Sequence, residues 1–246
     1  MGKGFGELFS STFGEYLKKF VPILKIFVFL YLIPMVIVAI LLVILFTGVY
    51  SSLGVSVLKT GSFDLSQVAL SQGDIGSLVL LFLGIFVFVI VLGIFYVWMA
   101  ASYVYISFSK GGELPFDKTF AFARKNFWRY VGLTLLTIVC LIPLYILLII
   151  PGIIFTVFWA FSSYILLSGN VGAWDSMKQS KALVKGRWWR VFGYGLLLLL
   201  IIFVISFVAG FIPFVGSIVS SLVLTPFMIL FFKNFWLELK HNSVKK

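Results

Sequence analysis

Few residues in this chain have the types and spacing that enzyme chemistry needs. Ser162 and Ser163 are neighbouring hydroxyls, but a Ser-His-Asp arrangement would have to recruit His241, the single histidine, from a lysine-rich tail. Cys140 lies in an apolar stretch, where a thiol packs as a small hydrophobe. One cysteine and one histidine also exclude a zinc site built from the usual ligands. We therefore expect no enzyme activity, no metal and no cofactor.

Three acids leave an enzymatic alternative open. Glu113, Asp117 and Asp175 lie close in sequence to basic segments, and with a metal ion they would suit chemistry on a phosphorylated headgroup. Asp117 and Asp175 also have a structural explanation, because a carboxylate in the first turn of a helix interacts favourably with the helix dipole. The enzymatic alternative requires all three side chains to converge beside the cations.

The clearest chemical pattern is basic and aromatic. The 246 residues include 19 Lys and Arg against 8 Asp and Glu, a formal net charge of +11. Each Lys or Arg near an anionic membrane surface contributes about 1 kcal/mol, and tryptophan prefers the headgroup layer. Nucleic acid is not an expected partner, because these cations flank membrane segments. We predict a site for anionic phospholipid headgroups at Lys118, Arg124, Lys125, Trp128, Arg129, Lys178, Lys181, Lys185, Arg187, Trp188, Trp189 and Arg190.

Composition assigns these residues to a membrane protein. The chain is 62% hydrophobic and 11% charged, and a soluble chain of this length cannot hide so much apolar surface. A transmembrane helix needs about 20 mostly apolar residues. Six such runs occur, at 26–47, 78–99 with a helical continuation toward 108, 130–150, 152–168, 191–211 and 215–232. We predict a single all-α integral membrane domain over residues 1–246, with six transmembrane helices arranged as three hairpins.

The basic residues predict the orientation of this domain. Eighteen of the 19 lie in segments that six spans would bring to one side of the membrane, and only Lys59 lies on the other, in an outer loop over residues 48–77. The positive-inside rule then places both termini in the cytoplasm. We expect a multi-pass protein of the cell (cytoplasmic) membrane.

A similar segment precedes each predicted hairpin. The copies share a hydroxyl that is followed eight positions later by an aromatic ring. They pair Thr12 with Phe20, Thr119 with Phe127, and Ser180 with Trp188. Helical periodicity gives these segments an apolar face beside basic residues, which is typical of interfacial amphipathic helices on the cytoplasmic leaflet. We predict a repeated unit of one interfacial helix and one hairpin, over residues 5–108, 115–169 and 172–237.

The predicted spans contain prolines but almost no charge. Pro34, Pro143 and Pro226 each remove a backbone donor, so we expect helix kinks there. Kinks either shape helix packing or open a groove or hinge. Lys25 and Lys233 lie near span ends, where a long side chain can snorkel to the interface. The absence of other ionisable residues within the spans argues against a proton-coupled transporter.

The stretch over residues 151–193 resembles a known family. It opens with PGIIF and continues through GAWDSMKQSKALVKGRWWRVFG. These motifs resemble the membrane-domain family of glycerophosphoryl diester phosphodiesterases and related polytopic membrane proteins of unassigned function. In members that degrade glycerophosphodiesters, the chemistry belongs to a separate soluble barrel domain, which these 246 residues do not contain. The resemblance therefore implies a membrane module linked to phospholipids, without hydrolytic activity.

Two functions are open besides the enzymatic alternative, and the first of them is the leading hypothesis. The first is a non-enzymatic protein of phospholipid homeostasis or lipid movement, acting through headgroup contacts at its cytoplasmic face. The second is a transporter or flippase for a small or amphipathic substrate, working through kinked spans. A mid-membrane cavity would favour the second if it were lined by the hydroxyls of Thr134, Thr137, Tyr145, Thr156, Ser162 and Ser163. The sequence identifies neither a protein partner nor an oligomeric state.

Overall fold

The fold is helical throughout its described parts. A computed structural model describes residues 3–52, 72–109, 115–211 and 215–244, and all regular secondary structure in these ranges is helical. Six segments in these ranges are long and apolar enough to cross a membrane: Phe20–Gly48, Val79–Phe108, Phe116–Leu147, Ile149–Ser168, Trp188–Gly210 and Ser221–Ser243. The prediction of an all-α, multi-pass membrane protein is confirmed at this level, whereas the hairpin pairing and the orientation stay predictions.

The helices are numbered here in chain order. They are α1 Phe5–Lys18, α2 Phe20–Phe27, α3 Ile33–Ser52, α4 Gln72–Phe108, α5 Phe116–Leu147, α6 Ile149–Phe158, α7 Ser162–Ser168, α8 Ala173–Val184, α9 Trp188–Gly210, α10 Val215–Val219 and α11 Thr225–Val244. Phe29–Tyr96 forms one compact unit, and the residues up to Val28 together with those from Val97 onward form a larger one. All of the sites described below lie in the larger unit.

π-Helical turns precede two of the three prolines at which helix kinks were predicted, and the kinks themselves stay predictions. These turns, Val28–Leu32 and Ser220–Leu224, end just before Pro34 and Pro226. Proline has no N–H to donate to the carbonyl four residues earlier, so the helix locally widens. Near Pro226 that carbonyl belongs to Leu222, and it accepts a hydrogen bond from the Tyr16 hydroxyl at 3.2 Å. Pro143 differs, because α5 continues through it.

The boundary predicted between the second interfacial helix and the third span is not a break in the structure. Helix α5 runs without interruption for 32 residues, about 48 Å at 1.5 Å per residue. It is longer than the apolar layer, about 30 Å thick, so its polar first turns can extend past that layer. Helices α1 and α8, in contrast, are separate from the helices that follow them, and Gly186 with φ +83° lies in the turn after α8.

The turn between the third and fourth spans lies earlier than predicted. Leu148 has an extended backbone, with φ −156° and ψ 118°, and divides α5 from α6. The predicted turn residues, Pro151 and Gly152, instead lie in the first turns of α6, where a missing N–H costs no helical hydrogen bond. Gly152 allows close packing, because a Cβ at this position would lie 2.6 Å from the ring of Tyr145.

Helix α1 packs against α11 rather than lying free on a lipid surface. The rings of Phe5 and Phe231 have centroids 5.5 Å apart. Helix α11 also continues past residue 232, where the sixth span was predicted to end, because Phe235 and Leu239 are fully buried. The apolar face that the sequence assigned to the membrane interface is therefore partly used within the protein.

The three aligned hydroxyls of the predicted repeat are all buried. Thr12, Thr119 and Ser180 are at most 1% exposed. The Ser180 hydroxyl accepts a hydrogen bond from the Phe161 N–H at 3.1 Å and donates to the Phe158 carbonyl at 2.7 Å. It thereby connects α8 to the break between α6 and α7. Shared burial is what duplication predicts, and the repeat stays a prediction.

The predicted outer loop is shorter than residues 48–77. Helix α3 extends to Ser52 and α4 begins at Gln72, so part of the predicted loop is helical. Lys59, the single basic residue predicted on the outer side, lies outside the described residues, as does Glu113.

Candidate functional site

Helices α5 and α8 carry the exposed part of the predicted headgroup site. The two helices pack against each other beside a buried cluster of Leu133, Leu166 and Met177. Six basic side chains of these helices and of the turn after α8 stay exposed. The exposed basic residues, named here the cationic surface, are Lys118, Arg124, Lys125, Lys178, Lys181 and Lys185.

Tryptophans lie near the cationic surface. Trp128 and Trp189 are each 78% exposed, and Trp174 is 51% exposed. The Nζ atom of Lys178 lies 5.8 Å from the centroid of the Trp174 ring. Exposed tryptophans beside lysines suit the headgroup layer, where the ring meets lipid and the ammonium meets phosphate. Trp188 differs from its neighbours, because it is half-buried.

Arg129 is engaged by the protein itself. Its guanidinium donates hydrogen bonds to the carbonyls of Leu166, Gly169 and Val171, at 3.3, 3.1 and 2.9 Å. These carbonyls lie at and beyond the end of α7, where a helix leaves its last carbonyls without N–H partners. Arg129 therefore caps α7. The sequence pattern had instead predicted that Arg129 contacts lipid headgroups.

Arg187 and Arg190 also bind protein groups. Arg187 donates to the carbonyls of Leu239 and Asn242, at 2.9 and 3.2 Å, near the end of α11. Arg190 forms an ion pair with Glu238 at 2.7 Å. A cation at a helix C-terminus is stabilised by the helix dipole. Within the predicted headgroup site, the lysines and Arg124 are thus the exposed cations, and the other arginines connect helices.

Two of the acids proposed for an enzymatic alternative lie where they stabilise helix N-termini. Asp117 and Asp175 lie in the first turns of α5 and α8, as the dipole explanation predicts. Asp175 is exposed and lies 3.9 Å from Lys178. Within the ranges that the structure describes, no three His, Cys, Asp or Glu side chains are grouped so that they could hold a metal ion.

Several hydroxyls predicted to line a transport cavity bond within the helices instead. The Tyr145 hydroxyl and Thr156 Oγ1 lie 2.8 Å apart, and Thr134 donates to the Tyr130 carbonyl at 2.9 Å. Ser162 differs, because it is buried at 3% exposure and its hydroxyl has no hydrogen-bond partner among the described residues. The transporter alternative therefore has no support from these contacts and stays a prediction.

The structure contains a polar cluster that was not predicted from the sequence. Oε1 of Glu15 lies 2.6 Å from Nζ of Lys19 and 2.8 Å from Nζ of Lys233. Oε2 accepts a hydrogen bond from Asn234 at 2.9 Å, and Asn234 also donates to Thr12 at 3.1 Å. The side chains of Lys19 and Lys233 are only 4% and 7% exposed. Lys233 is thus held in a buried ion pair and does not snorkel to an interface.

Glu15 is kept ionised by these neighbours. Burial raises the pKa of Glu15. The hydrogen bonds from Lys19, Lys233 and Asn234 and the charge of Lys233 together lower it by a larger amount, so the pKa lies below its ordinary value. Two signals in the sequence point toward the cluster. Glu15 and Lys19 have the four-residue spacing of a helical ion pair, and Lys233 interrupts an otherwise apolar run.

A cavity of about 650 Å³ opens beside the cluster. Its wall includes Gly14, Glu15, Lys18, Lys19, Ser107 and Lys233. Helices α1, α4 and α11 and the turn after α1 contribute these residues. The cavity has the size of a small-molecule site, for which about 300–1,000 Å³ is usual.

Function must be argued from these two places, the cationic surface and the cavity, since a fold alone does not imply an activity. Both places carry several cations, which suits negatively charged ligands. No family model, curated protein or solved structure matches this chain.

Proposed function

We propose that this protein is a non-enzymatic, multi-pass membrane protein that holds anionic phospholipid headgroups and acts in lipid homeostasis or lipid movement. The observation that carries the proposal is the exposure of all six cations of the cationic surface beside the exposed Trp128, Trp174 and Trp189. Each cation near anionic lipid contributes about 1 kcal/mol. The resemblance of residues 151–193 to the glycerophosphoryl diester phosphodiesterase membrane-domain family supports the link to phospholipids.

The proposal includes an orientation. Both termini lie in the cytoplasm, the spans form three hairpins in the cell membrane, and the cationic surface faces the cytoplasmic leaflet. The support for this arrangement is the distribution of Lys and Arg along the chain, because basic loops are retained on the cytoplasmic side.

Replacing Lys178, Lys181 and Lys185 together with Gln tests headgroup binding. The three side chains are exposed. Lys178 lies over the ring of Trp174 and Lys181 over the rings of Phe155 and Phe158, and none of these rings belongs to the buried core, so Gln at the three positions should leave the fold intact. At about 1 kcal/mol each, their removal should weaken retention of anionic lipid by up to about 100-fold. The measurement is mass spectrometry of phospholipids that co-purify with the full chain in a mild detergent, per mole of protein.

A matched control removes three exposed lysines elsewhere. Lys3, Lys25 and Lys240 are exposed and lie outside the cationic surface. Their replacement with Gln changes the net charge equally and should leave lipid retention close to that of the unmodified protein. Equal retention of anionic lipid by both triple variants would show that the cationic surface is no headgroup site.

A further inference from the structure

Within the described residues, the lysines around Glu15 are only partly neutralised by their protein contacts. Glu15 supplies one negative charge, whereas Lys19 and Lys233 supply two positive charges in a nearly buried position. Lys18 adds a third ammonium to the same cavity wall. Buried charges are strongly unfavourable unless they are compensated, so this cavity favours an anion that carries about two negative charges.

The two buried ammonium groups also retain donors. Nζ of Lys19 donates to Glu15 at 2.6 Å and to the Ser107 carbonyl at 2.9 Å, which uses two of its three N–H groups. Nζ of Lys233 donates to the two carboxylate oxygens of Glu15, at 2.8 and 3.0 Å. No other acceptor for these two groups lies within the described residues. Each ammonium can therefore offer a further hydrogen bond to a ligand.

We propose that this cavity binds a phosphate monoester group, with the ammonium groups of Lys18, Lys19 and Lys233 around the phosphate oxygens. A phosphate monoester carries between about −1.5 and −2 charge near neutral pH. This charge balances the net positive charge that remains when Glu15 has neutralised one of the three lysines. Lysine binds phosphate as a point charge, without the planar fork of arginine. A phosphodiester carries only one negative charge and matches the cavity less well.

This inference goes beyond the proposed function, because no residue of the cavity belongs to the cationic surface. The triple substitution at Lys178, Lys181 and Lys185 leaves the cavity intact. The two proposals therefore fail independently.

Gly14 offers a test that does not disturb the buried ion pair. It lines the cavity from within α1, and a Cβ at this position would meet no heavy atom of the described residues within 4 Å. Gly14→Glu adds a carboxylate to the cavity wall, and Gly14→Gln adds a side chain of nearly the same shape without charge. A helical glycine replaced by either residue also gains helix propensity, so both variants should fold.

The probes are inorganic phosphate, dioctanoyl phosphatidic acid and dioctanoyl phosphatidylcholine, titrated calorimetrically into the delipidated full chain in a neutral detergent at constant ionic strength. We expect saturable binding of at least one of the two probes whose phosphate can carry two negative charges, inorganic phosphate and dioctanoyl phosphatidic acid. Gly14→Glu should bind it about fivefold more weakly than Gly14→Gln, and Lys18→Gln about fivefold more weakly than Lys25→Gln, whose lysine lies outside the cavity. Lys233→Gln should abolish binding if it folds.

The probes also separate the two sources of the phosphate. Binding of phosphatidic acid without binding of inorganic phosphate identifies a lipid ligand, and binding of both with the same dependence on Lys18 identifies the phosphate group itself. Either result supports the proposal. Binding of none of the probes, equal affinity for phosphatidylcholine, or equal affinity in Gly14→Glu and Gly14→Gln would overturn it.

Discussion

The ammonium nitrogen of Lys233 lies 2.8 Å from Oε1 of Glu15, although 218 positions separate the two residues in the chain. Lys19 brings a second ammonium to within 2.6 Å of the same oxygen. Helices α1 and α11 are therefore joined by a buried cluster with more positive than negative charge. Removal of Glu15 makes the cluster more positive, whereas removal of either lysine makes it less positive.

Glu15→Gln should destabilise the protein more than Lys233→Met. Removal of the carboxylate leaves two nearly buried ammonium groups without a counter-charge, and breaking a buried pair in this way costs about 3–5 kcal/mol. Removal of Lys233 leaves the Glu15 and Lys19 pair balanced. Thermal unfolding in detergent measures both losses, and Lys25→Met provides an exposed control. A larger loss for Lys233→Met than for Glu15→Gln would contradict this charge balance.

Acid should weaken the same cluster. The pKa of Glu15 lies below its ordinary value in the folded protein, so its stabilising contribution is present above the ordinary value and is lost as the pH falls through the folded value. The charged groups that face Glu15 are Lys19 and Lys233, and Lys18 lies on the same cavity wall. Melting temperatures measured from about pH 7 to about pH 3 should therefore fall more steeply for the unmodified protein than for Glu15→Gln. If the melting temperatures of the two proteins fall in parallel with pH, the ionised Glu15 does not stabilise the fold as described.

Tyr16→Phe should lower stability by about 1 kcal/mol, because it removes the hydroxyl that donates to the Leu222 carbonyl. The loss should be smaller in a Pro226→Ala background, where the substituted alanine supplies the N–H that proline lacks. Chemical denaturation of the two single variants and the double variant gives the coupling. Full additivity would show that the tyrosine hydroxyl does not compensate for the proline.

Gly152→Ala should destabilise the protein by about 1–3 kcal/mol, since the new methyl group would lie 2.6 Å from the Tyr145 ring. Gly132→Ala is the matched control within the neighbouring helix. No heavy atom of the described residues lies within 4 Å of a Cβ at Gly132, so alanine should stabilise by about 0.5–1 kcal/mol through helix propensity. Thermal unfolding of both variants measures the difference. Equal effects at the two glycines would rule out the packing role of Gly152.

The helical spans could be predicted because a long uncharged run is a local property of the sequence. The turn at Leu148 could not be placed correctly, because Pro151 is compatible with the first turn of a helix as well as with a turn before it. The local sequence predicts a helix boundary near Pro151, but it does not show whether the proline lies in the turn or in the first turn of the following helix.

The candidate sites also contain residues that local sequence predicts and residues that depend on distant contacts. The exposed lysines of the cationic surface could be predicted from charge and helical periodicity alone. Arg129 could not be separated from them, because its acceptors lie about 40 residues further along the chain. The burial of Lys233 likewise depends on how α11 packs against α1, which no short stretch of sequence specifies.

Cysteine accessibility tests most directly the claim that the cations and both termini share one side of a six-span membrane protein. In a Cys140→Ala background, single cysteines replace Ser10, Lys178 and Ser243, which are exposed, and Ser66 in the predicted outer loop. An impermeant maleimide applied to intact cells should label only the cysteine at position 66, and the other three should react after the membrane is opened. Labelling of the cysteine at position 10 or 243 from outside would contradict the account.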